Sequence, residues 1–374
     1  MPRLVILCEF LTLLGGERSM LSTLAAVRAA GFDVHVAAPP VGALAEAVRD
    51  AGAPLVEWTT HDVAGARRPG EQIRHDLAQL IARLSPDLVH ANSLSTARLA
   101  GPVLAAARVP SVGHLRDIVG LSRQAIEDVN CLDRLVAVSR ATREFHVGLG
   151  IDAAKCVVVN NGVDLEQFRP RAATGYLHRE LGLAPQAGLV ATIGQVGMRK
   201  GTDVALAAAM RWAAVQPDAH WLIVGERTSK KDEARELEAR LHEMAQEPPL
   251  AGRVHFLGTR KDVPQLLPEC ALLVHAARQE PLGRVLLEAA ACGLAVVATD
   301  VGGTREIFPS EADGAVLVPI DDPLAIAGAV TELLGDEARR AALGHGGRHR
   351  AEAAFDVQSA AAHLIAVYHS VLGL

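Results

Sequence analysis

Two glutamates, Glu280 and Glu288, stand in the segment with the clearest chemical character. Residues 280–293 read E-P-L-G-R-V-L-L-E-A-A-A-C-G and follow a short apolar strand predicted over Ala271–His275. Two carboxylates close in sequence suggest acid–base catalysis. The structural alternative makes Glu280 an acidic residue before a helix N-terminus and Glu288 a solvated helix residue. These two residues alone leave both interpretations open.

A glycine in the same segment favours an anion site. Gly283 stands where the predicted helix begins, and a residue without a side chain lets a ligand oxygen approach the backbone N–H groups of the first turn. The helix N-terminus also carries partial positive charge. We therefore predict a site suited to a diphosphate, with Glu280 in the loop before it and Glu288 on the helix.

A second candidate segment carries two cations. Residues 193–201, I-G-Q-V-G-M-R-K-G, follow a predicted strand and lead into a helix predicted over Thr202–Arg211. Arg199 and Lys200 could hold a diphosphate through charge-assisted hydrogen bonds. The alternative is an ordinary basic turn.

The N-terminal half contributes two weaker candidates. Gly15 and Gly16 follow the first predicted strand and could let a ligand lie close to the backbone, although glycines at such turns are often only steric. His114 ends another predicted strand and would face the ligand there, although one histidine among 15 is more often structural.

Short strands that alternate with helices must position all of these residues. The predicted strands are rich in Val, Ile and Leu, and each is four to six residues long except for one of three residues. Helical stretches such as Glu17–Ala30 and Leu94–Ala107 separate them. The predicted strands are Arg3–Cys8, Asp33–Ala37, Pro54–Trp58, Asp87–Ala91, Pro110–His114, Arg134–Val138, Val157–Val159, Leu189–Ile193, Ala219–Val224, Val254–Leu257, Ala271–His275, Ala295–Ala298 and Ala315–Val318. This alternation predicts parallel sheets covered by helices on both faces, with ligands beyond the carboxyl ends of the strands.

The alternation is interrupted near residue 165 and then restarts, which predicts two domains. A length of 374 residues also favours two cores over one. The predicted fold is α/β, with two Rossmann-like, doubly wound parallel-sheet domains that face each other across a cleft. The domains are residues 1–165 and 166–354, and residues 355–374 form a C-terminal helix that could pack back on the first domain.

Composition excludes several functions. The formal net charge is −6 and no basic run occurs, so nucleic acid binding is disfavoured. The five cysteines stand singly, which indicates buried free thiols in a reducing compartment, and no apolar run has the length of a membrane span. We therefore expect a cytoplasmic protein without a transmembrane segment. A basic docking face is not evident in residues 1–165, but peripheral membrane contact stays open.

A metal-dependent transferase is disfavoured, and no cofactor is expected. No D-x-D triplet occurs, and Asp321 and Asp322 stand in a predicted surface turn before Pro323. A diphosphate bound without a metal needs protein cations, which Arg199 and Lys200 could supply.

Together these features resemble the large family of retaining glycosyltransferases with the GT-B fold, glycosyltransferase family 4 (glycosyl transferases group 1). The resemblance covers essentially the whole chain. It rests on E-x7-E from Glu280 to Glu288, on N-G-V-D at residues 161–164 and on the glycine loop at residues 15–17. Residues 296–303, V-V-A-T-D-V-G-G, and the Val254–Gly258 strand with Thr259 and Arg260 also look like segments of the family.

The resemblance implies a retaining transfer of a hexose-type sugar, from a UDP-sugar by default, to a hydroxyl acceptor. The first domain would then take the acceptor and the second the nucleotide-sugar donor. By the same resemblance, Glu280 contacts the donor sugar, Lys200 neutralises the leaving diphosphate and His114 contacts the sugar from the other domain.

The remaining donor contacts follow from the same resemblance. Glu288 would hold the ribose hydroxyls, Gly283 and Arg284 would offer backbone N–H groups to the distal phosphate, and Arg260 belongs to the segment along the nucleobase. Leu282 of the E-x7-E segment and the glycines Gly15 and Gly16 complete the implied donor site. Gln195 stands where the family usually has arginine, and Arg199 could supply the missing cation.

Two other functions remain open. One is a non-catalytic nucleotide-sugar-binding protein, which the neutral Gln195 favours. The other is a different GT-B enzyme, such as a nucleotide-sugar 2-epimerase or a sugar phosphorylase. A nicotinamide oxidoreductase is less favoured because no G-x-G-x-x-G follows an early strand. The donor, the acceptor and the oligomeric state are not determined by the sequence.

Overall fold

The computed structural model describes residues 1–213, 216, 218–229 and 231–374, which divide into two compact units. The first unit combines Met1–Gly162 with Val357–Leu374, and the second is Val163–Asp356. The chain therefore leaves the first unit at Gly162 and returns to it for its last helix.

The first unit is a seven-stranded sheet with helices between the strands. All its strand pairs are parallel, and the strand order is β3-β2-β1-β4-β5-β6-β7. The elements are β1 Arg3–Leu7, α1 Gly15–Ala29, β2 Asp33–Ala38, α2 Ala43–Asp50, β3 Leu55–Glu57, α3 Gly70–Leu84, β4 Leu88–Ala91, α4 Leu94–Ala107, β5 Ser111–Leu115, α5 Arg123–Asn130, β6 Arg134–Ala137, α6 Arg140–Leu149, β7 Cys156–Val158 and, after the second unit, α15 Val357–Leu372.

The second unit is a six-stranded parallel sheet in the order β10-β9-β8-β11-β12-β13. A short 3₁₀ turn over Met198–Lys200 precedes α8, and two others lie at Leu267–Glu269 and Glu311–Asp313. The elements are α7 Tyr176–Leu181, β8 Gly188–Ile193, α8 Thr202–Trp212, β9 Ala219–Val224, α9 Asp232–Gln246, β10 Val254–Gly258, α10 Val263–Leu266, β11 Leu272–His275, α11 Arg284–Ala291, β12 Val296–Thr299, α12 Thr304–Ile307, β13 Ala315–Val318, α13 Pro323–Gly335 and α14 Glu337–Ala354.

The prediction of two Rossmann-like parallel sheets is confirmed, and each predicted strand is present with small shifts at its ends. Strands such as β4 and β11 are buried along their whole length, because helices cover both faces of the sheet. Four of the five cysteines are buried free thiols, but Cys131 is exposed, so the prediction that all are buried is wrong there. Cys131 follows the last residue of α5, outside the sheet.

None of the helices in the described part of the chain combines the length and the hydropathy that a bilayer crossing demands.

Each sheet has a point at which the strand order reverses direction. In the first unit this point lies between β1 and β4, and in the second unit it lies between β8 and β11. Loops that follow the two strands at such a point separate and leave a crevice at the carboxyl edge of the sheet, where ligands bind in folds of this type. The candidate residues of the second unit stand in the two loops after β8 and β11.

Candidate functional site

Two loops of the second unit meet at the carboxyl edge of its sheet. The loop after β8 carries Lys200, and the loop after β11 carries Glu280. The backbone N–H of Arg278 donates to the carbonyl of Arg199 at 3.0 Å and so joins the two loops directly. Gly201 has a φ of 62°, and a Cβ at this position would overlap the carbonyl of Ala276. Only glycine therefore allows the loops to lie this close.

The centre of the site is a buried cluster of Lys200, Glu280 and His275. The Lys200 ammonium donates to Oε2 of Glu280 in an ion pair, and Nε2 of His275 lies 2.7 Å from the same oxygen. His275 is the last residue of β11, and Glu280 is only 4% exposed. The resemblance to the family implies that Lys200 and Glu280 serve one donor site, but it implies neither their direct ion pair nor the part of His275. The structure joins all three.

Electrostatics fix the protonation states of this cluster. Burial raises the pKa of the Glu280 carboxyl, but the Lys200 charge and the His275 hydrogen bond lower it more strongly, so the pKa ends well below its usual range. Burial holds the pKa of His275 below its usual value, although the bond to Glu280 opposes this shift. Glu280 is thus an anion at neutral pH, and the neutral His275 donates its Nε2–H. A proton-donating role for Glu280 is therefore excluded at neutral pH.

The loop after β12 holds the Glu280 segment in place. The N–H of Gly303 donates to the carbonyl of Glu280 at 2.9 Å. A Cβ on Gly302 would overlap that carbonyl, and one on Gly303 would overlap the carbonyl of Pro281. These two glycines therefore belong to the site because they let one loop pack on the backbone of another. In the sequence, both glycines belong to the segment 296–303, which is distinguished only by its resemblance to the family.

Helix α11 begins beside this cluster. Gly283 precedes its first residue with a φ of 105°, in the left-handed region that favours glycine. The first N–H groups of a helix lack intrahelical partners and attract anions. Leu282 is buried, so its side chain is packed in the core of the unit. Nη2 of Arg284 donates to Oε1 of Glu288 at 3.1 Å, one helical turn further on.

The neutral Gln195 and the cationic Arg199 lie in the loop after β8. Gln195 is half-buried and Arg199 is exposed, and neither side chain has a hydrogen-bond partner within the described ranges of the chain. The charge of Arg199 contributes to the lowered pKa of His275. Arg199 therefore acts electrostatically on the Lys200–Glu280–His275 cluster, and its role as a substitute cation stays a prediction.

Arg260 is held in an ionic network away from this cluster. Its guanidinium binds both carboxylate oxygens of Glu180, at 2.6 and 3.1 Å, and both oxygens of Asp262, at 2.9 and 2.7 Å. The hydroxyl of Tyr176 also donates to Asp262, and these bonds lower the pKa of Asp262 to about 2. The side chain of Arg260 thus fixes the segment after β10, which leaves the backbone of that segment to meet a ligand.

Arg278 is a site residue that the sequence did not reveal. Its guanidinium makes two bonds of 2.8 Å to the carboxylate of Asp203, one of 2.6 Å to Asp321 and one of 2.8 Å to the carbonyl of Met198. It therefore ties the turn that carries Lys200 to the first turn of α8 and to the loop after β13. An arginine in a loop gives no sequence signal of this kind, because each of its partners is distant in the chain.

We expect Arg278→Lys to loosen the Met198–Lys200 turn without removing a charge. A lysine cannot reproduce the forked, two-bond contact with Asp203. Losing such oriented hydrogen bonds should lower kcat/KM by roughly 10-fold, at about 1.4 kcal/mol per factor of ten. The measurement is steady-state kinetics with the nucleotide sugar that raises Tm most in a thermal-shift screen. Arg305→Lys, which alters an exposed arginine paired with Asp300, is the matched control. Equal kinetics in the two variants would contradict the role of Arg278.

In the first unit, Gly16 and His114 lie around Arg116. Arg116 donates to the side chain of Asn92 at 2.8 Å and to that of Asn161 at 3.0 Å. A Cβ on Gly16 would lie 3.0 Å from Cδ of Arg116, so this glycine makes room for the arginine. Gly15 is the first residue of α1. His114 is buried within this unit, beside Arg116.

Two family models match the chain, one in each half. The model described as Glycosyltransferase Family 4 matches residues 14–167, and the model described as Glycosyl transferases group 1 matches residues 176–350. The first match includes Gly15, Gly16 and His114, and the second includes Lys200, Glu280 and Glu288.

Named relatives are identical to this chain at up to about a third of the aligned positions. The phosphatidyl-myo-inositol mannosyltransferase of Mycolicibacterium smegmatis is 30% identical over 374 residues, which cover 96% of this chain and 91% of that protein. The lipopolysaccharide core biosynthesis mannosyltransferase LpsB of Rhizobium meliloti is 29% identical over 64% of this chain and 66% of its own length. Two D-inositol 3-phosphate glycosyltransferases are matched over only 56% and 54% of their lengths.

Solved structures show the same fold over the whole chain. The Anabaena protein Alr3699/HepE in complex with UDP-glucose superposes with a TM-score of 0.87 at 23% identity, over 99% of this chain and 100% of that one. The fold, the two family models and the mycolicibacterial relative agree. The chain therefore belongs to the family 4, or group 1, glycosyltransferases and has their GT-B fold.

Proposed function

We propose that this protein transfers a hexose-type sugar from a nucleotide diphosphate donor to a hydroxyl acceptor, with retention of anomeric configuration and without a metal ion. The observation that carries the proposal is the buried ion pair of Lys200 with Glu280 beside the N-terminus of α11. This arrangement combines a cation and helix N–H groups for a diphosphate with a carboxylate for sugar hydroxyls.

We propose a UDP-sugar as the donor. Support comes from the Anabaena protein, whose structures contain UDP and UDP-glucose. Two relatives are named mannosyltransferases, so a hexose is the sugar class that the relatives favour. Glu288 on α11 would bind the ribose hydroxyls, and the backbone after β10 would lie along the base. No cofactor is part of this proposal.

The chemistry would rest on stabilising the leaving diphosphate. When the bond between the sugar and the diphosphate breaks, negative charge grows on the phosphate oxygens and positive charge grows on the sugar ring. Lys200 and the N-terminus of α11 would stabilise the phosphate charge, and Arg199 would add to the local positive field. The acceptor hydroxyl would attack from the face that the diphosphate leaves and pass its proton to a departing phosphate oxygen, so a bond from the anomeric carbon to the acceptor oxygen replaces the bond to the phosphate and the configuration is retained.

Glu280 would position the sugar and would not form a covalent bond with it. Its carboxylate is buried, and the two donors Lys200 and His275 share Oε2. A nucleophile needs an accessible oxygen next to the anomeric carbon, whereas an anion held by two donors suits hydroxyl binding and stabilisation of ring charge. The neutral His275 would keep the carboxylate in its orientation. His114 keeps the role that the resemblance implies, a hydrogen bond to the donor sugar.

The acceptor would carry a hydroxyl group, and its wider chemistry is open to test. One relative is named for a phosphatidyl-inositol lipid and another for the lipopolysaccharide core. An acceptor at a membrane surface is therefore compatible with the proposal, through peripheral contact.

The test is a thermal-shift screen with UDP, GDP, ADP and their hexose conjugates, each with and without a chelator. A ligand at about 100 times its Kd stabilises the folded state by about 2.7 kcal/mol. For a protein of this size we expect UDP and one UDP-hexose to raise Tm by several degrees. The chelator should leave the shift unchanged. Absence of a shift with every nucleoside diphosphate would refute the proposal.

Retention is tested on the product. Proton NMR of the first glycoside formed by an active donor–acceptor pair gives the anomeric configuration directly. The α configuration from an α-linked donor is the expected result, and a β product would overturn the retaining mechanism. Tight donor binding without transfer to any of a panel of hydroxyl acceptors would favour the non-catalytic alternative.

A further inference from the structure

A chain of buried side chains links the C-terminal helix to His114 within the first unit. The hydroxyl of Tyr368, on α15, lies 2.6 Å from Nδ1 of His90, and Nε2 of His90 lies 3.3 Å from Nδ1 of His114. Arg116 is the last member of this hydrogen-bond chain, and its Nη2 lies 3.1 Å from the same Nδ1 of His114. His90, His114 and Tyr368 are each at most 4% exposed.

The direction of each hydrogen bond follows from the chemistry of the groups. The Arg116 guanidinium can only donate, so Nδ1 of His114 must accept. A neutral His114 then carries its proton on Nε2. Since Nδ1 of His114 is an acceptor, Nε2 of His90 donates to it and Nδ1 of His90 is left as an acceptor. The hydroxyl of Tyr368 donates to that Nδ1. Nδ1 of His114 thus shares its single lone pair between two donors, Nη2 of Arg116 at 3.1 Å and Nε2 of His90 at 3.3 Å.

Burial keeps both imidazoles neutral, as this pattern requires. It lowers the pKa of His90 to about 3, and it holds the pKa of His114 well below its usual value, with the Arg116 charge acting in the same direction. Burial also raises the pKa of Tyr368, so that its hydroxyl keeps its proton. None of these groups changes charge near neutral pH, which leaves the hydrogen-bond directions fixed.

Packing of the aromatic rings holds the hydrogen-bonded side chains in place. The rings of His90 and His114 are stacked, with centroids 5.3 Å apart, and Tyr368 meets His90 edge to face at 5.7 Å. Phe32 packs on the other side of Tyr368 at 5.6 Å. The three linked side chains come from β4, β5 and α15. A helix from the end of the chain therefore fixes the ring of a residue on a central strand.

The second ring nitrogen of His114, Nε2, is buried and is left without a hydrogen-bond partner among the described residues. His114 lines a cavity of about 20 Å³ together with Ser19, Thr23 and Asn161. This volume holds about one water molecule or one hydroxyl group. A buried N–H without a partner is costly, so an oxygen atom is expected to occupy this position when the site is filled.

We propose that Tyr368 and His90 are positioning residues, which hold His114 in the tautomer and ring orientation that donate a hydrogen bond from Nε2. The C-terminal helix thereby sets the direction of the histidine that would contact the donor sugar. The catalytic part of this inference rests on the proposed function, whereas the tautomer assignment does not.

The tautomers are tested by ¹⁵N NMR of the histidine rings, with His90→Gln and His114→Gln used to assign the signals. In the wild-type protein both rings are expected to be neutral with the proton on Nε2. In Tyr368→Phe, Nδ1 of His90 loses its hydrogen-bond donor, and we expect the ¹⁵N signal of that nitrogen to move to the position of an unbonded imidazole nitrogen, while the proton stays on Nε2. Phe32→Leu, which loosens the same packing but keeps the hydroxyl, should lower Tm and leave both tautomers unchanged.

A proton on Nδ1 of either ring in the wild-type protein would overturn the proposal. Identical histidine signals in Tyr368→Phe and wild type would overturn it as well. The wild-type measurement decides the tautomers even if Tyr368→Phe does not fold.

Activity separates this inference from the proposed function. We expect Tyr368→Phe to lower kcat by about 10-fold, the scale of one hydrogen bond of about 1 kcal/mol or slightly more. The thermal shift with UDP alone should be unchanged, because the sugar contact is absent there. The protein could show the expected tautomers and still transfer no sugar. That result would refute the proposed function, but it would support the arrangement of Tyr368, His90 and His114. A shifted Nδ1 signal of His90 with unchanged kcat would refute the role of the hydrogen-bond chain in catalysis.

Discussion

Lys200→Ala is expected to lower kcat by about 100-fold or more, the effect of removing one preorganised donor from a developing anion. Lys200 is the cation that the structure places against Glu280, in a loop that is bonded to the Glu280 loop through Arg199 and Arg278. Its loss removes the charge that would stabilise the leaving diphosphate. Arg199 is exposed and lies beside it in sequence, so it can replace only part of the field. The measurement is kcat at saturating donor.

The same variant is also expected to lose stability, and the experiment has to separate the two effects. Without Lys200, the buried Glu280 anion keeps only the neutral donor His275, and a buried charge that loses its partner is costly. Activity should therefore be compared at a temperature well below Tm of the variant. Lys231→Ala, which removes an exposed lysine at the start of α9, is the matched control and should retain full activity.

A turnover within a few-fold of wild type would remove Lys200 from the mechanism. A stable variant that still binds UDP but has lost turnover would support the assignment most directly, because it separates nucleotide binding from the chemical step.

The fold was predictable because its signals are local. Strands such as β4 and β11 are continuous apolar runs, since helices cover both faces of each sheet, and glycines and polar turns bound them. The loops of the site could be found for the same reason. Gly201 and Gly283 adopt backbone conformations that favour glycine, and such positions interrupt an otherwise regular pattern.

The contacts inside the site were not predictable, because they depend on which strands are neighbours. Lys200 and Glu280 are 80 positions apart, and they meet only because β8 pairs with β11. The pair of glutamates suggested acid–base chemistry, but the protonation state of Glu280 is set by Lys200 and His275. Arg260 is a further example. Its bonds to Glu180 and Asp262 join residues that are distant in the chain, and its contact with a donor stays a prediction.

Glu280→Gln is expected to lower kcat by roughly 10²- to 10³-fold, again the scale of one preorganised electrostatic contact. Glutamine has the shape of glutamate but no charge. Its one amide oxygen can still accept from Lys200 and His275, which share Oε2 of Glu280, but its other end is an NH₂ group that cannot accept a hydrogen bond from a sugar hydroxyl. The negative charge that would stabilise the positive sugar ring is lost as well. UDP should still raise Tm, because Lys200 and the N-terminus of α11, which would hold the diphosphate, are unchanged.

Glu269→Gln is the matched control for a buried carboxylate in the same unit. Glu269 accepts from the backbone N–H groups of Thr174 at 2.6 Å and of Gly175 at 2.8 Å, outside the loops of the site. Its replacement should lower Tm and leave kcat nearly unchanged. Equal losses of kcat in the two variants would show that Glu280 acts only through the stability of the unit.

The dependence of stability on pH tests the Lys200–Glu280 pair independently of turnover. The pKa of Glu280 in the folded protein is lowered, mainly by the charge of Lys200 and the hydrogen bond from His275, from the ordinary value of 4.5 that a glutamate has in the unfolded chain. The pair therefore stabilises the fold fully above about pH 4.5, and this contribution is lost as the pH falls below it. In Glu280→Gln, Lys200 stays buried without its anion, so Tm at pH 7 should lie below that of wild type. The difference should shrink below pH 4.5, because only the wild-type protein loses this contribution there. A constant difference from pH 7 to pH 3 would show that the pair does not stabilise the fold through its charge.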